Sequence, residues 1–383
     1  MAQARTYLDF NATAPLHPAA RAAMLAALDL PGNASSVHAE GRAARAIVEA
    51  AREQVAALAG ARAGDVVFTS GGTEAANLAL TPHVELLRER APFDLLLIGA
   101  GEHACVLKGH RFDSAQTAPV PLKRDGTLDL GALETLLARH RGRRIMLALQ
   151  AANNETGAIQ PVAAAAALVH AQGGLVVCDA VQAAGRIGCD MRALGADMLL
   201  LSAHKLGGAK GAGALVFDSA RLHIAAALVA GGGQERGLRG GTENVAAIAA
   251  FGAVAALAEE GARLAQLRDR LEAGLLAIAP QITIFGASAA RLPNTSAFAV
   301  PGLSAETFLI ALDLAGCAVS SGSACSSGKV KRSQVLEAMG VADDLARGAL
   351  RISFGWSSVE PDVGAFLTAF AAIVARMQAR RAA

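Results

Sequence analysis

The chain has 383 residues, more than one hydrophobic core usually organises, so about two domains are expected. Its 35 basic and 33 acidic residues leave a net charge of +2, and it has a single Trp and a single Tyr, which excludes the basic stripe or stacking platform of a nucleic-acid binder. Mean hydropathy is +0.37, yet the longest apolar stretches, 162–169 and 363–374, are too short to cross a bilayer, so a soluble globular protein with no membrane partner is expected.

Arg5 and Asp9 interrupt any apolar run at the start of the chain, so no export signal is read there and the cytoplasm is the expected compartment. Residues 9–33 read as a loop with a short helix, and 36–58 as a longer helix whose apolar positions recur at helical spacing. Val66-Val67-Phe68-Thr69 then reads as a strand, followed by Ser70-Gly71-Gly72-Thr73-Glu74 and an alanine-rich helix. Strand, glycine turn and helix form the repeating unit of a parallel sheet. The alternation recurs at 95–98, 145–149, 175–178 and 198–201, and 213–217 reads as one more strand. A long helix is expected over 254–278, leading to a second α/β unit that ends in a helix over 361–380. The expected division is a large α/β domain over 14–255 and a small domain made of 1–13 and 256–383.

Open α/β sheets bind ligands at the carboxyl ends of their strands, and the chemically capable residues fall there. Lys205 follows the apolar run of 198–201 through Ser202-Ala203-His204. An amine leaving the end of a buried strand is poorly solvated, so its pKa falls toward neutrality and it becomes a nucleophile for a carbonyl cofactor. Ser202 and His204 stand ready to hold an anionic group beside it. Gly71-Gly72-Thr73 opens a helix, so free amides and the helix dipole favour a phosphate; the plain alternative is a glycine turn with a threonine cap. Asp179, at the end of 175–178, needs a positive partner such as a protonated pyridine nitrogen, unless it caps the next helix. Asn153-Asn154-Glu155 follows 145–149, Gln182 stands three residues after Asp179, and His103 follows 95–98. A lone histidine is more often structural, but His103 is also suited to stacking on a flat ring or moving protons. A phosphate nest, a histidine, an acid and a lysine after separate strands together describe a pyridoxal phosphate site.

The five cysteines are odd in number and have no CxxC spacing, which argues against a disulfide framework and a dedicated zinc site. Residues 322–330 resemble a phosphate-binding P-loop, but one residue too many separates Gly322 from Gly328, and Val330 stands where a hydroxyl is required. The small polar residues instead present one thiol, Cys325, with Lys329, Lys331 and Arg332 available to favour its thiolate. Cys178 and Cys317 lie in apolar surroundings as core thiols, Cys189 has no distinguishing neighbours, and Cys105, two residues after His103, is the rival for reactivity.

At this point the chain resembles the cysteine desulfurases of the NifS/IscS type, class-V aminotransferase-like enzymes, over nearly its whole length. The resemblance is carried by Tyr7-Leu8-Asp9 with Asn11-Ala12-Thr13, Thr69-Ser70-Gly71-Gly72-Thr73-Glu74, Glu102-His103, Asn153-Asn154-Glu155, Asp179 with Gln182, Ser202 with His204-Lys205, Gly240-Gly241-Thr242, Ser320-Ser321-Gly322-Ser323-Ala324-Cys325, and Arg351. The serine-rich segment at Cys325 resembles the long-loop branch. It implies fold type I of the pyridoxal phosphate transferases: an α/β architecture with a mostly parallel seven-stranded sheet in the large domain and a smaller α/β domain carrying the cysteine loop at about 320–333.

For the site, the resemblance implies that Lys205 bonds the cofactor and shuttles protons, Asp179 holds the pyridinium nitrogen, and His103 stacks on the ring and assists proton transfer. Asn154 and Gln182 would lie near the phenolic oxygen. The Gly72 backbone, Thr73, Ser202 and His204 would bind the phosphate, joined by Thr242 from a second subunit. Arg351, with Asn154, would receive the substrate carboxylate bidentately, and Cys325 would take the sulfur of L-cysteine as a persulfide. The implied partners are an identical subunit, a U-type iron–sulfur scaffold and other sulfur acceptors, with Cys325 touching a nascent cluster as a transient metal contact. The chain departs from the family where Arg332 replaces a common proline, Trp356 a basic residue and Ala151 a frequent histidine. Two other readings stand beside this one. An aminotransferase or selenocysteine lyase on the same fold would not depend on the Cys325 segment, and a non-catalytic sulfur-relay or nucleotide-binding protein would form no bond between Lys205 and a cofactor.

Overall fold

A computed structural model describes residues 5–86, 91–257, 261–321 and 332–382, with side chains as far as 377. Seven strands form the main sheet: β1 (Val66–Thr69), β2 (Leu95–Gly99), β3 (Thr117–Val120), β4 (Ile145–Gln150), β5 (Leu175–Asp179), β6 (Met198–Ser202) and β7 (Gly213–Phe217). Their order across the sheet is β1-β7-β6-β5-β4-β2-β3. The strands β3, β2, β4, β5 and β6 run parallel, and β7 is antiparallel to both neighbours. Six of the seven are buried at every residue, which explains their near-continuous Val, Leu and Ile runs: both faces are covered by apolar clusters.

The seventh strand, β3, has no apolar run to announce it. Thr117-Ala118-Pro119-Val120 lies at the sheet edge, where a proline costs no ladder bond on the open side. The expected helix over 254–278 also requires correction, because one helix is Val245–Ala255 and another begins at Gly261 and runs to Ile278. The two bury their apolar faces in different cores: Phe251 and Val254 in the first, Leu264, Leu267, Leu271 and Leu275 in the second. Alanine enrichment hides the break in the one-dimensional pattern. The expected helices at 36–58 and 361–380 appear as Ala39–Leu58, capped by the His38 ring, and Glu360–Ala382.

The second core is built around an antiparallel sheet of Thr283–Ile284, Thr295–Ala299 and Ala349–Ser353. Phe308 and Phe366 stack on Phe370 at centroid distances of 5.6 and 5.8 Å. Thr6–Tyr7 pairs in parallel with Cys317–Ala318, and Leu8 is buried in this second core, so the start of the chain packs with its end. We propose the division between these cores, near residue 255, as the domain boundary. Among the described residues no helix is long and apolar enough to cross a membrane.

Candidate functional site

The carboxyl ends of β1, β2, β4, β5 and β6 open on one cleft of about 770 Å³, within the range of small-molecule sites. Parallel strands deliver their last residues to one side of the sheet, so positions far apart in the chain meet there. Gly72, Thr73, His103, Asn154, Asp179, Gln182, Ser202, His204, Lys205 and Arg351 all line the cleft. Thr242 is exposed and is not among them, and Cys325, Lys329 and Lys331 lie outside the described residues.

Asp179 ends β5 at 8% exposure, and its Oδ1 accepts from Val181 N at 2.9 Å. Burial pushes its carboxyl up against the opposing pull of that amide, His103 and Lys205. The following residues form turns rather than a helix, so the helix-cap alternative is not realised. Glu102 shares this floor: its Oε1 accepts from Gln150 N at 2.6 Å, while burial and then Asp179 push its carboxyl well above the ordinary range.

His103 caps a short helix, with Nδ1 accepting from Cys105 N at 3.2 Å, which leaves the proton of the neutral ring on Nε2. Burial, joined by Lys205, lowers its pKa against the pull of Asp179. Lys205 stands in a tight turn directly after β6, and its Nζ donates to Asn11 O at 2.7 Å and Ala12 O at 2.9 Å. His204 contacts Thr13 Oγ1 through Nδ1 at 3.1 Å, and burial with Lys205, Lys210 and Arg186 pushes its pKa down to about 4. The ring is therefore neutral near pH 7 and able to donate an N–H.

The Gly71-Gly72 turn is held from both sides. Glu74 accepts from Ser70 N at 2.8 Å and from Arg239 Nε at 3.2 Å. The helix Gly72–Ala79 follows, and its first amides have no internal acceptors. Gly71, not Thr73, occupies the cap position, so the threonine-cap alternative also fails. Gly213 permits the close approach of β7: a Cβ there would lie 2.5 Å from Gly71 Cα.

Arg351 reaches the cleft from the second core's sheet, where it is 4% exposed. Its Nη1 donates to Asn154 O at 2.9 Å and its Nη2 to Asp9 Oδ1 at 2.6 Å. Gln182 Nε2 donates to Asn11 O at 3.0 Å, and its Oε1 accepts from buried Arg186, so both ends of this amide are engaged.

Of the four described cysteines, Cys105, Cys178 and Cys317 have their thiols pushed up. Burial, then Asp179 and Glu102, push Cys105 far up; burial raises Cys178 and Cys317; Cys189 Sγ contacts Leu58 O at 3.3 Å. Arg332 lines the rim but pairs with Asp343 at 3.2 Å and Glu337 at 3.5 Å, so its charge is shared with acids. The departures have structural duties: Trp356 Nε1 donates to Pro15 O at 3.0 Å, and buried Ala151 donates its N–H to Asp179 O at 2.8 Å.

Sequence reasoning assigned no role to Asn11, Glu102, Arg186 or Lys210. Asn11 and Glu102 stood in quoted motifs, but what Asn11 gives Lys205 is a backbone carbonyl, for which no side-chain signal exists. Among the described residues no cluster of three or more His, Cys, Asp or Glu side chains is arranged to hold a metal. The donor set does fit pyridoxal phosphate: a buried acid short of a positive partner, an amine beside it, a neutral imidazole and open helix amides for a phosphate.

Comparison with known proteins identifies the family. The pattern of the aminotransferase class-V family matches residues 6–366. The chain is 40% identical over 388 residues to an IscS-like cysteine desulfurase of Mycobacterium tuberculosis, covering 98% of each. It is 38% identical over 387 residues to a cysteine desulfurase of Sinorhizobium fredii, again covering 98% of each. A NifS-like protein from Rickettsia africae superposes with a TM-score of 0.86 at 32% identity, over 97% of this chain and 99% of that one.

Proposed function

Because the chain belongs to the class-V aminotransferase family and is a cysteine desulfurase, we propose that the cleft at its strand ends converts L-cysteine to L-alanine and passes the sulfur to Cys325. The observation that carries this reading is the meeting of Lys205, Asp179 and His103, from three strand ends, with Arg351 from the second core.

Pyridoxal phosphate, when bound, supplies the electron sink that weakens the bonds at the α- and β-carbons of the substrate amino acid. Lys205 Nζ, with the carbonyls of Asn11 and Ala12 beside it, would hold the cofactor and carry the proton removed from the substrate α-carbon. Asp179 would hold the pyridine nitrogen, and a positive charge there would offset the burial of the carboxylate. His103 would lie against the ring and offer its Nε2 proton. The Gly72 amide, Thr73, Ser202 and His204 would hold the phosphate, joined by Thr242 of a second copy of the chain. Arg351 and Asn154 seat the substrate carboxylate. Cys325 Sγ attacks the substrate sulfur: an S–S bond forms, the C–S bond breaks, and the bonding electrons leave with the carbon skeleton, which is protonated to alanine. The Cys325 persulfide then passes its outer sulfur to a thiol acceptor or iron–sulfur scaffold. In this reading the working unit is a cytoplasmic homodimer.

The test pairs an ultraviolet–visible spectrum of the purified protein with alanine and sulfide release from L-cysteine under reductant, for wild type and Cys325→Ala. A yellow protein whose wild type makes both products, and whose variant binds cysteine spectrally without releasing sulfide, supports the reading. A colourless protein that takes up no cofactor refutes the cofactor assignment, and an unimpaired Cys325→Ala variant refutes the nucleophile.

A further inference from the structure

Asp9, part of the opening motif, has no role in the scheme above, yet it holds the residue that recognises the substrate. Arg351 has three polar nitrogens. Nη1 is taken by Asn154 O and Nη2 by Asp9 Oδ1, whereas Nε is buried without an acceptor among the described residues. Arg351 and Asn154 line the cleft, but Asp9 does not, so its carboxylate grips the guanidinium from outside the cleft.

The same short segment reaches the cofactor lysine. Ser353 N donates to Leu8 O at 2.9 Å, Phe10 N to Ser353 O at 3.3 Å, and Asn11 N to Ser353 Oγ at 2.9 Å, fastening residues 8–11 to the end of the strand that carries Arg351. Tyr7 Oη closes the turn by donating to Thr13 O at 2.8 Å. On the far side of that turn, Asn11 O and Ala12 O accept from Lys205 Nζ, and Asn11 O also accepts from Gln182 Nε2. One turn thus sets the distance between the carboxylate receptor of the second core and the reactive amine of the first.

We propose that Asp9 is a positioning residue for substrate recognition, holding the Arg351 guanidinium at a fixed angle and reach from Lys205 so that an amino acid's carboxylate is seated with its α-carbon at the amine. The proposal rests on the reading of Arg351 as the carboxylate receptor. Arginine is a long side chain with several rotamers, and bidentate recognition of a carboxylate demands one planar orientation. A carboxylate at its back selects that orientation before the substrate arrives, which lowers the ordering cost of binding. Since the effect is on seating, it is read in KM more than in kcat.

The experiment measures KM and kcat for L-cysteine, with the cofactor absorbance, in the holoenzyme and in Asp9→Ala, Asp9→Asn, Arg351→Ala and the double variant Asp9→Ala/Arg351→Ala. Asp9→Ala is expected to raise KM roughly tenfold or more, with kcat within about threefold and an unchanged cofactor spectrum. Asp9→Asn keeps an acceptor oxygen for Nη2 and is expected to recover most of the loss. In the Arg351→Ala background, Asp9→Ala is expected to add nothing, because the group it orients is gone. Should Asp9→Ala prove poorly folded by melting temperature, Asp9→Asn carries the test, with KM expected above the wild-type value and below that of Arg351→Ala. An unchanged KM in Asp9→Ala, or additive effects in the double variant, overturns the role of Asp9. An unchanged KM in Arg351→Ala instead overturns the underlying assignment of the carboxylate receptor.

Discussion

Replacing Glu102 with Gln should change how the cofactor-free protein's stability depends on pH. The carboxyl is 4% exposed, its Oε1 accepts one amide, from Gln150, and its Oε2 has no partner among the described residues. Burial is the largest influence on it and Asp179 the next, and both favour the protonated acid. An unfolded glutamate titrates at about 4.3. Above that pH, and up to the raised folded-state value, the native protein holds a proton that the unfolded chain has lost. The associated stability is therefore full below about pH 4 and declines as pH rises, by about 1.4 kcal/mol per pH unit for one proton. Glutamine fills the same volume, still accepts from Gln150 N and needs no proton. The stability of Glu102→Gln relative to wild type should thus grow by up to about 2.7 kcal/mol between pH 5 and 7. Urea unfolding of the two proteins at pH 5, 6 and 7 measures this difference directly. A gap that stays constant with pH, or a variant that loses stability toward pH 7, would show that Glu102 is ionised in the folded protein and that the argument from burial is wrong.

Gly213→Ala should weaken cofactor binding roughly tenfold or more and cost about 1–3 kcal/mol, since its Cβ would meet Gly71 Cα at 2.5 Å and Leu201 O at 2.7 Å, backbone on both sides; an absorbance titration with pyridoxal phosphate gives the affinity, and a wild-type value contradicts the packing argument. Arg52→Ala should cost about 3–5 kcal/mol in urea unfolding, because Arg52 and Glu235 form a buried two-pronged pair at 2.7 and 2.8 Å and the glutamate would be left without its partner. A loss under about 1 kcal/mol would mean that water reaches the pair. Cys105→Ser should retain sulfide release from L-cysteine, given a thiol pushed far up by its surroundings, and a loss beyond about tenfold would restore Cys105 as a candidate nucleophile.

The strands at 66–69, 95–99, 145–150, 175–179, 198–202 and 213–217 were legible because a strand buried on both faces must be apolar throughout. β3 was not, because an edge strand with Pro119 has only one partner and no such requirement. Lys205, Asp179 and His103 were legible for a related reason: a polar residue straight after an apolar run must leave the sheet at its ligand-binding end. The link between Arg351 and Asn154 spans 197 positions and the link between Arg351 and Asp9 spans 342, so spacing carries no trace of either.

Local sequence thus determined the class of the sheet and which strand ends bring Lys205, Asp179 and His103 to the cleft, since these depend on burial and turn chemistry within a few residues. Which groups hold those residues in place, and with what protonation, was decided by tertiary structure alone. The carbonyls of Asn11 and Ala12 at Lys205, Asp9 behind Arg351 and the raised pKa of Glu102 near Asp179 arise only when segments far apart in the chain meet, because Coulomb and hydrogen-bond energies depend on distance in space and on exclusion of water, not on separation along the chain.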